Sequence, residues 1–169
     1  AARTGARGRD LLGAGFHLRC LEPRQAAGEL DTLHRLALHC FAANFSYAPV
    51  DRDEFGRLYG PALGLADPRL VLIAHAPDGR PAAFLFGLRD PGDPSGRTAI
   101  LKTLGVTPEH QGTGLGSLMV AELHRAAQAL GCTRMIHALM PAEGPSRAIS
   151  QRGATVFRRY AVLERALLP

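Results

Sequence analysis

Residues 102–119 read Lys102-Thr-Leu-Gly-Val-Thr-Pro-Glu-His-Gln-Gly-Thr-Gly-Leu-Gly-Ser-Leu-Met119. An apolar run typical of a β-strand enters this stretch, a glycine-rich turn follows it, and an amphipathic helix leaves it. A turn of this kind directs several backbone N–H groups toward one point in front of the helix, where free donors and the positive end of the helix dipole both favour an anion. The stretch therefore predicts a phosphate-binding loop between a strand and a helix.

Two other glycine-rich phosphate loops fit the same residues less well. A P-loop ends in Gly-Lys-Ser/Thr, whereas Gly116 is followed directly by Ser117 without a lysine. A dinucleotide-binding Gly-x-Gly-x-x-Gly needs a wider spacing of its third glycine than Gly112, Gly114 and Gly116 provide. A tight turn that binds no ligand is the remaining structural alternative.

Gln111, Gly114 and Gly116 form the pattern Gln-x-x-Gly-x-Gly immediately before the expected helix. This pattern resembles the pyrophosphate loop of the GCN5-related N-acetyltransferases, the GNAT family, usually written Gln/Arg-x-x-Gly-x-Gly/Ala. The resemblance implies acetyl-CoA as co-substrate, with its pyrophosphate on the loop and its pantetheine arm bonded to backbone groups of the preceding strand. The cofactor-binding residues that it implies are Leu104, Gly105, Val106, Gln111, Gly112, Thr113, Gly114, Leu115, Gly116 and Ser117.

The composition favours a single globular α/β domain. The chain has 169 residues, of which 46% are hydrophobic, and this is enough to bury a core. No apolar run approaches the ~18 residues of a membrane-spanning helix, and the N-terminus lacks the pattern of a signal peptide. Cys20, Cys40 and Cys132 are widely spaced and show no metal-ligand pattern. We therefore expect no bound metal, no membrane association and a reducing, cytoplasmic location.

The formal net charge of +5 comes almost entirely from arginine, because Lys102 is the only lysine. The arginines are scattered and tryptophan is absent, which disfavours nucleic-acid binding. A positive field also suits a polyanionic cofactor such as CoA. Residues 1–15 are rich in Gly, Ala and Arg. We expect a flexible tail or linker there and a GNAT-like acetyltransferase domain over residues 16–169.

Apolar periodicity predicts the element order β-α-α-β-β-β-α-β-α-β. We expect a helix over residues 24–43, a second one that begins at Asp51 and ends at Gly60-Pro61, and a last strand over Val156–Leu163. This is also the element order of the family. The resemblance implies the acyl-CoA N-acyltransferase fold, a mixed α/β fold in which helices flank a mostly antiparallel sheet and two parallel strands splay apart.

Acetyl transfer to an amine needs a base for the amine and an acid for the departing thiolate. Many family members place a glutamate on the fourth strand where this chain has Lys102, and lysine is a poor base unless burial lowers its pKa. His137, on the splayed strand, and Glu143, in the loop after it, are the alternative catalytic residues. A histidine with its hydrogen bonds satisfied in the core is the structural alternative for His137, and Glu109 is expected to be solvated.

The catalytic acid is open in the same way. The tyrosine that family members often carry in the last helix aligns with Ile149. Ser150 stands beside it, but a hydroxyl is too weakly acidic to be the obvious substitute. Tyr160 and Tyr47 are the other candidate proton donors, and Tyr160 is expected on the last strand.

In the family, the acceptor is selected by the loop between the first two helices and by the segment after the splayed strand. Phe41, Phe45 and Tyr47 are the expected walls of an acceptor pocket, with Lys102 available for an acidic substrate, although core packing explains the aromatic residues equally well. The acceptor would be a small-molecule amine, a protein N-terminus or a lysine.

The sequence therefore predicts an N-acetyltransferase in which a neutral amine attacks the acetyl-CoA thioester directly, acting as a monomer or homodimer. Lys102 and Ile149 depart from the family pattern. They motivate the alternative of a catalytically degenerate CoA-binding sensor or structural domain of a larger protein.

Overall fold

One five-stranded sheet runs through the protein, and helices cover both of its faces. The computed structural model describes residues 2–44, 47–151, 153–161, 163 and 165, with side chains from residue 8 onward. In chain order its elements are α1 (Ala2–Gly13), β1 (His17–Cys20), α2 (Ala26–Phe41), α3 (Arg52–Leu65), β2 (Val71–His75), β3 (Pro81–Arg89), β4 (Thr98–Val106), α4 (Leu115–Ala129), β5 (Arg134–His137) and α5 (Pro145–Ser150), with short 3-10 turns at Pro23–Gln25, Pro68–Leu70 and Pro108–His110.

The strands lie in the order β1-β2-β3-β4-β5. Each of the first four strands runs antiparallel to its neighbour among them, whereas β5 runs parallel to β4. Between β3 and β4 the register shifts, because Phe86 pairs with Thr103 and Gly87 pairs with Leu101. Lys102 is therefore the extra residue of a β-bulge. The predicted mixed α/β fold with a mostly antiparallel sheet is confirmed.

The two parallel strands separate beyond the bulge. Their last pair is Leu101 with His137, after which the N–H of Ala138 donates to the carbonyl oxygen of Leu101 at 3.0 Å. β4 continues to Val106, whereas β5 has already ended. Residues 102–106 of β4 therefore have no strand partner on this side, and we call the gap between them and the chain that follows β5 the cleft.

The sheet separates two apolar clusters. On one face α4 buries Leu115, Met119 and Leu123 completely against alternate residues of the central strands. On the other face α2 and α3 pack on the intervening residues, among them Val71 and Ile73 of β2. This two-sided burial explains why β2 is apolar at consecutive positions. Each fully buried leucine contributes roughly 1.5–3 kcal/mol of hydrophobic free energy. None of the helices in the described part of the chain is long and apolar enough to cross a membrane.

The N-terminal segment differs from the expected tail or linker, because Ala2–Gly13 is helical and packs on α4. The contact is close at Gly8, where an added Cβ would lie 2.9 Å from Leu118 Cδ1. Glycine lowers the helix propensity of this segment but permits the close approach, so the packing outweighs the local preference.

The second predicted helix does not end at Gly60-Pro61. Pro61 lies inside α3, which continues to Leu65 and closes with the N–H of Ala66 donating to Ala62. A proline removes one helical hydrogen bond. The following turn offsets this loss because Leu63 and Ala66 pack against the apolar cluster under α2.

The predicted last strand over Val156–Leu163 is also corrected, since the described residues of this segment form no strand. Phe157 and Tyr160 are 60% and 70% exposed, and the Phe157 ring lies under the Arg134 guanidinium at 5.6 Å. Alternating apolar residues favour a strand but do not supply a partner ladder.

Candidate functional site

The glycine loop between β4 and α4 depends on two left-handed residues. Gly112 has φ 75° and Gly114 has φ 101°, a region that side-chain-bearing residues rarely adopt. Gly114 is also the N-cap of α4 and has no side chain with which to cap the helix. The glycines thus reverse the chain within a few residues and leave the start of the helix open.

Side chains fasten the loop to the end of β4. Gln111 Nε2 donates to the carbonyl oxygen of Val106 at 3.2 Å. Thr113 Oγ1 donates to the carbonyl oxygen of His110 at 2.7 Å and accepts the N–H of Leu115 at 3.3 Å. Thr113 therefore ties the loop internally, while Gln111 ties it to the strand.

Several backbone donors remain without a protein partner at this point. Within the described part of the chain, no acceptor is recorded for the backbone N–H groups of Gly112, Thr113, Gly114, Gly116 and Ser117. The last two belong to the first turn of α4, where helix geometry leaves N–H groups unsatisfied and the dipole is positive. The loop can therefore hold an anion without any lysine or arginine.

The start of α4 lies against both walls of the cleft. A Cβ added at Gly116 would stand 3.5 Å from Leu104 Cδ2 and Val106 Cγ2, and 3.2 Å from Ile149 Cδ1 on α5. The structure thus brings the two groups of predicted cofactor-binding residues together, the end of β4 and the glycine loop. α5 lies beside both.

The backbone of β4 offers polar groups to the cleft at alternate positions. The N–H of Thr107 donates to Ala82 at 2.9 Å, which makes this a hydrogen-bonded pair of the antiparallel ladder. By the alternation of that ladder, Leu104 and Val106 direct their N–H and C=O groups away from β3. They face the side from which β5 has withdrawn. The Gln111 side chain already occupies the Val106 carbonyl oxygen, while the N–H groups of Leu104 and Val106 stay available.

Position 105 requires a glycine because the Phe84 ring covers the backbone there. A Cβ there would be 2.5 Å from Phe84 Cε1 and 3.1 Å from Cys40 Cβ. The C-terminal end of α2 is therefore packed on the outer part of β4. Burial, with a further contribution from Glu109, raises the pKa of the Cys40 thiol to about 12, so this thiol stays protonated near neutral pH.

Two of the three predicted pocket aromatics lie together on this side. Phe41 contacts both Tyr47 and Phe84 edge-to-face, with ring centroids 5.9 Å apart in each case. Desolvation raises the pKa of Tyr47, so its phenol stays protonated. Phe45 lies outside the described residues. Lys102 is exposed on the bulge and makes no ion pair with any described carboxylate.

Glu109 is a weak base in this structure. Its exposed carboxylate pairs with His39 Nε2 at 3.0 Å. Its own backbone N–H and the His39 imidazole lower the pKa of Glu109 by hydrogen bonding. It also occupies the turn after β4 rather than the cleft.

His137 lies at the inner end of the cleft, bonded on both sides. Its Nε2 is 2.9 Å from Nε2 of His124 on α4, and its Nδ1 is 2.7 Å from Oγ of Ser150 on α5. Burial lowers the pKa of both imidazoles, and the neighbouring His124 lowers that of His137 further. Both rings are therefore neutral near pH 7. The sequence pointed to His137 but not to His124, because a contact across 13 residues between helix and strand leaves no local pattern.

The other two predicted catalytic residues are not joined to this group. Glu143 is exposed in the loop before α5, and Tyr160 is exposed in the C-terminal segment, where its hydroxyl accepts from Arg158 at 3.3 Å. In the described part of the chain, no hydrogen bond connects either of them to His137.

Comparison with known proteins agrees with this geometry. The model of the acetyltransferase (GNAT) family matches residues 27–151. No curated protein matched the sequence.

Solved structures share the fold at low identity. A GCN5-related N-acetyltransferase from Sphaerobacter thermophilus is 16% identical with a TM-score of 0.61; the match covers 82% of this chain but 40% of that one, so this chain spans less than half of its length. Glucosamine-6-phosphate N-acetyltransferase from Arabidopsis thaliana is 14% identical, with coverage of 88% and 99% and a TM-score of 0.62. AAC(6')-Iy, solved with the bisubstrate analog CoA-S-monomethyl-acetylneamine, is 19% identical, with coverage of 90% and 99% and a TM-score of 0.62.

The family match includes β4, the glycine loop and α4, which are the elements of the candidate site. This chain belongs to the GNAT acetyltransferase family.

Proposed function

We propose that the chain transfers the acetyl group of acetyl-CoA to a primary amine by direct attack on the thioester. The observation that carries this proposal is the combination of an open donor loop with a cleft beside β4. The loop has five N–H groups for the pyrophosphate, and the cleft has the N–H groups of Leu104 and Val106 for the arm and the thioester carbonyl.

The length of the cleft agrees with this arrangement. At about 3.3 Å per residue, the strand from Val106 back to Lys102 spans roughly 13 Å. An extended arm that starts at the loop would carry the thioester toward the inner end of the cleft, where β4 and β5 part and where His137 is located. Phe41 and Tyr47, which pack beside the Phe84 ring that covers Gly105, would then flank the approach of the acceptor.

Acetyl transfer also explains why no nucleophilic side chain is needed. The neutral amine adds to the carbonyl carbon, a backbone N–H of β4 stabilises the oxyanion, and the thiolate leaves. Cys40, the thiol packed against β4, stays protonated because of its raised pKa. The acceptor class remains an amine of a small molecule or of a protein.

Thiol release from acetyl-CoA in the presence of amines tests the proposal. The panel consists of neamine, glucosamine 6-phosphate, a peptide with a free N-terminal alanine and a peptide with an internal lysine. We expect amine-dependent thiol release with at least one of them, and its loss in Gly114→Val, where a β-branched side chain cannot follow the left-handed backbone. Binding of acetyl-CoA without thiol release from any amine would favour the degenerate CoA-binding domain instead.

A further inference from the structure

Three side chains from three different elements form one hydrogen-bonded chain. Ser150 Oγ on α5 bonds His137 Nδ1 on β5, and His137 Nε2 bonds His124 Nε2 on α4. Both imidazoles are half-buried. A neutral histidine has one donor and one acceptor nitrogen, so the two hydrogen bonds can both run from Ser150 toward His124 or both run the opposite way. Either the serine donates inward to His137, or His124 donates outward and leaves the serine proton free.

The serine end of the chain is at the cleft. His137 belongs to the last pair between the parallel strands, so its neighbours lie where the strands part. Ile149, the residue before Ser150, contacts the start of α4 at Gly116, next to Leu104 and Val106. The bond to His137 therefore places the Ser150 hydroxyl at the inner end of the cleft, on the helix that packs beside the start of α4.

The histidine end has a route to solvent. His124 lines a surface cavity of about 180 Å³ formed by α4, the loop after it and β5, together with Cys132, Arg134 and Met135. The charged and titratable groups that share this cavity are Arg134 and Cys132, and no carboxylate lines it. No described acidic side chain would hold His124 or His137 permanently protonated.

We propose that Ser150, His137 and His124 form a reversible proton relay, which takes a proton from the attacking amine and returns it to the departing thiolate. This inference rests on the proposed acetyl transfer. Ser150 would be the catalytic residue because it touches the reacting atoms, whereas His137 and His124 act through it.

The first step loads the relay. As the N–C bond forms, the amine nitrogen becomes cationic and gives a proton to Ser150 Oγ. The serine proton passes to His137 Nδ1, and the proton on His137 Nε2 passes to His124 Nε2. His124 is then an imidazolium and His137 is neutral. The hydrogen bonds now run from His124 to His137 and from His137 to Ser150.

The second step empties the relay. As the C–S bond breaks, the sulfur takes the proton of Ser150, the serine regains one from His137 Nδ1, and His137 Nε2 regains one from His124. Nitrogen and sulfur are bonded to the same carbon in the tetrahedral intermediate, so one hydroxyl can serve both. The net result is one proton moved from nitrogen to sulfur.

The relay also supplies what Ser150 lacks alone. A serine hydroxyl is a weak acid and a weak base, but a bonded imidazole changes both properties by moving a second proton in the same step. Burial keeps the pKa values of both imidazoles low, so the relay is empty and ready to accept a proton near neutral pH.

The test compares Ser150→Ala and His124→Gln with the wild type, using the amine that gives thiol release. For Ser150→Ala we expect kcat to fall by about 100-fold or more, the lower range for loss of acid–base catalysis. Ser150→Thr should recover most of the rate because it keeps a hydroxyl. The acetyl-CoA dissociation constant should stay within about twofold in all three variants, because none of these side chains belongs to the glycine loop.

His124→Gln separates proton storage from packing. Glutamine can still hydrogen-bond His137 but cannot take up a proton, so we expect kcat to fall by about tenfold or more. The variant also removes the neighbour that lowers the pKa of His137. The acid limb of the pH–kcat profile should therefore move to higher pH, which a purely structural role would not cause.

His17→Gln is the matched control, since His17 is an exposed histidine on β1 at the opposite edge of the sheet. This variant should keep kcat within twofold of the wild-type value, and the acid limb of its pH–kcat profile should not move. If the wild type turns over while Ser150→Ala and His124→Gln match it, the relay is wrong and the proposed function stands. If the wild type releases no thiol with any amine, the proposed function fails and the relay fails with it.

Discussion

Gly112→Ala tests whether the left-handed backbone of the glycine loop serves cofactor binding. Gly112 has φ 75°, and a Cβ added there would meet no atom within 4 Å. The substitution therefore introduces backbone strain without a clash. The strain of a left-handed conformation in a residue with a side chain is about 1–2 kcal/mol.

The strain can appear either in the free energy of unfolding or in the acetyl-CoA dissociation constant, and separate measurements distinguish the two. If the loop keeps its shape, the free energy of unfolding falls by about 1–2 kcal/mol. If the loop relaxes, acetyl-CoA must restore the strained shape when it binds, which raises its dissociation constant by about 5- to 30-fold. A methyl group at the pyrophosphate would act in the same direction. We therefore expect weaker binding by calorimetry, together with modest destabilisation in urea.

Gly79→Ala is the matched control for this experiment. Gly79 has φ 80° in the β2–β3 hairpin, and a Cβ there also meets no atom within 4 Å. It should lose similar stability and bind acetyl-CoA as the wild type does. If the two variants bind acetyl-CoA equally well, the strain at Gly112 is not relieved in the free loop, and the proposed link between its left-handed backbone and cofactor binding is refuted.

Three further predictions concern stability. Leu123→Ala, at a fully buried position of α4, should lower the free energy of unfolding by about 2–5 kcal/mol in urea denaturation. Arg19→Met should lower it by about 3 kcal/mol, because it removes the 2.6 Å partner of the buried Glu29 carboxylate; an unchanged urea midpoint would contradict this. Stability should also fall as pH drops below about 6.5, since His124 and His137 have lowered pKa values in the fold and the unfolded chain binds protons first. Stability measured from pH 7.5 to 5 should decrease less steeply for His124→Gln, and equal slopes would count against the burial of these rings.

The sequence predicts the centre of the fold well because local rules dominate there. The run into Val106, the glycines at 112 and 114 and the apolar stripe of α4 are each specified by neighbouring residues. The strand expected to enter the glycine loop is β4, and the separation of the two parallel strands was implied by the family resemblance.

The errors arise where tertiary contacts decide the outcome. A segment rich in glycine forms α1, in which Gly8 fits against Leu118. The helix α3 continues past Pro61, and Leu63 and Ala66 of the next turn pack against the apolar cluster under α2. The expected last strand has alternating apolar residues but no ladder in the described part of the chain.

The site shows the same division between local and tertiary information. The loop residues follow from their own spacing, whereas His124 meets His137 only after α4 packs on the sheet. Ser150 is too weak an acid by itself, and only its hydrogen bond to His137 makes it a candidate for proton transfer. The predicted roles of Glu143 and Tyr160 stay predictions, and neither residue is bonded to the cluster of Ser150, His137 and His124.

The central claim is that the glycine loop and the cleft beside β4 bind acetyl-CoA. Calorimetric titration with acetyl-CoA, with free CoA in parallel, tests it most directly. We predict saturable one-to-one binding of both ligands by the wild type and its loss in Gly114→Val. A folded wild-type sample that binds neither ligand would contradict the account.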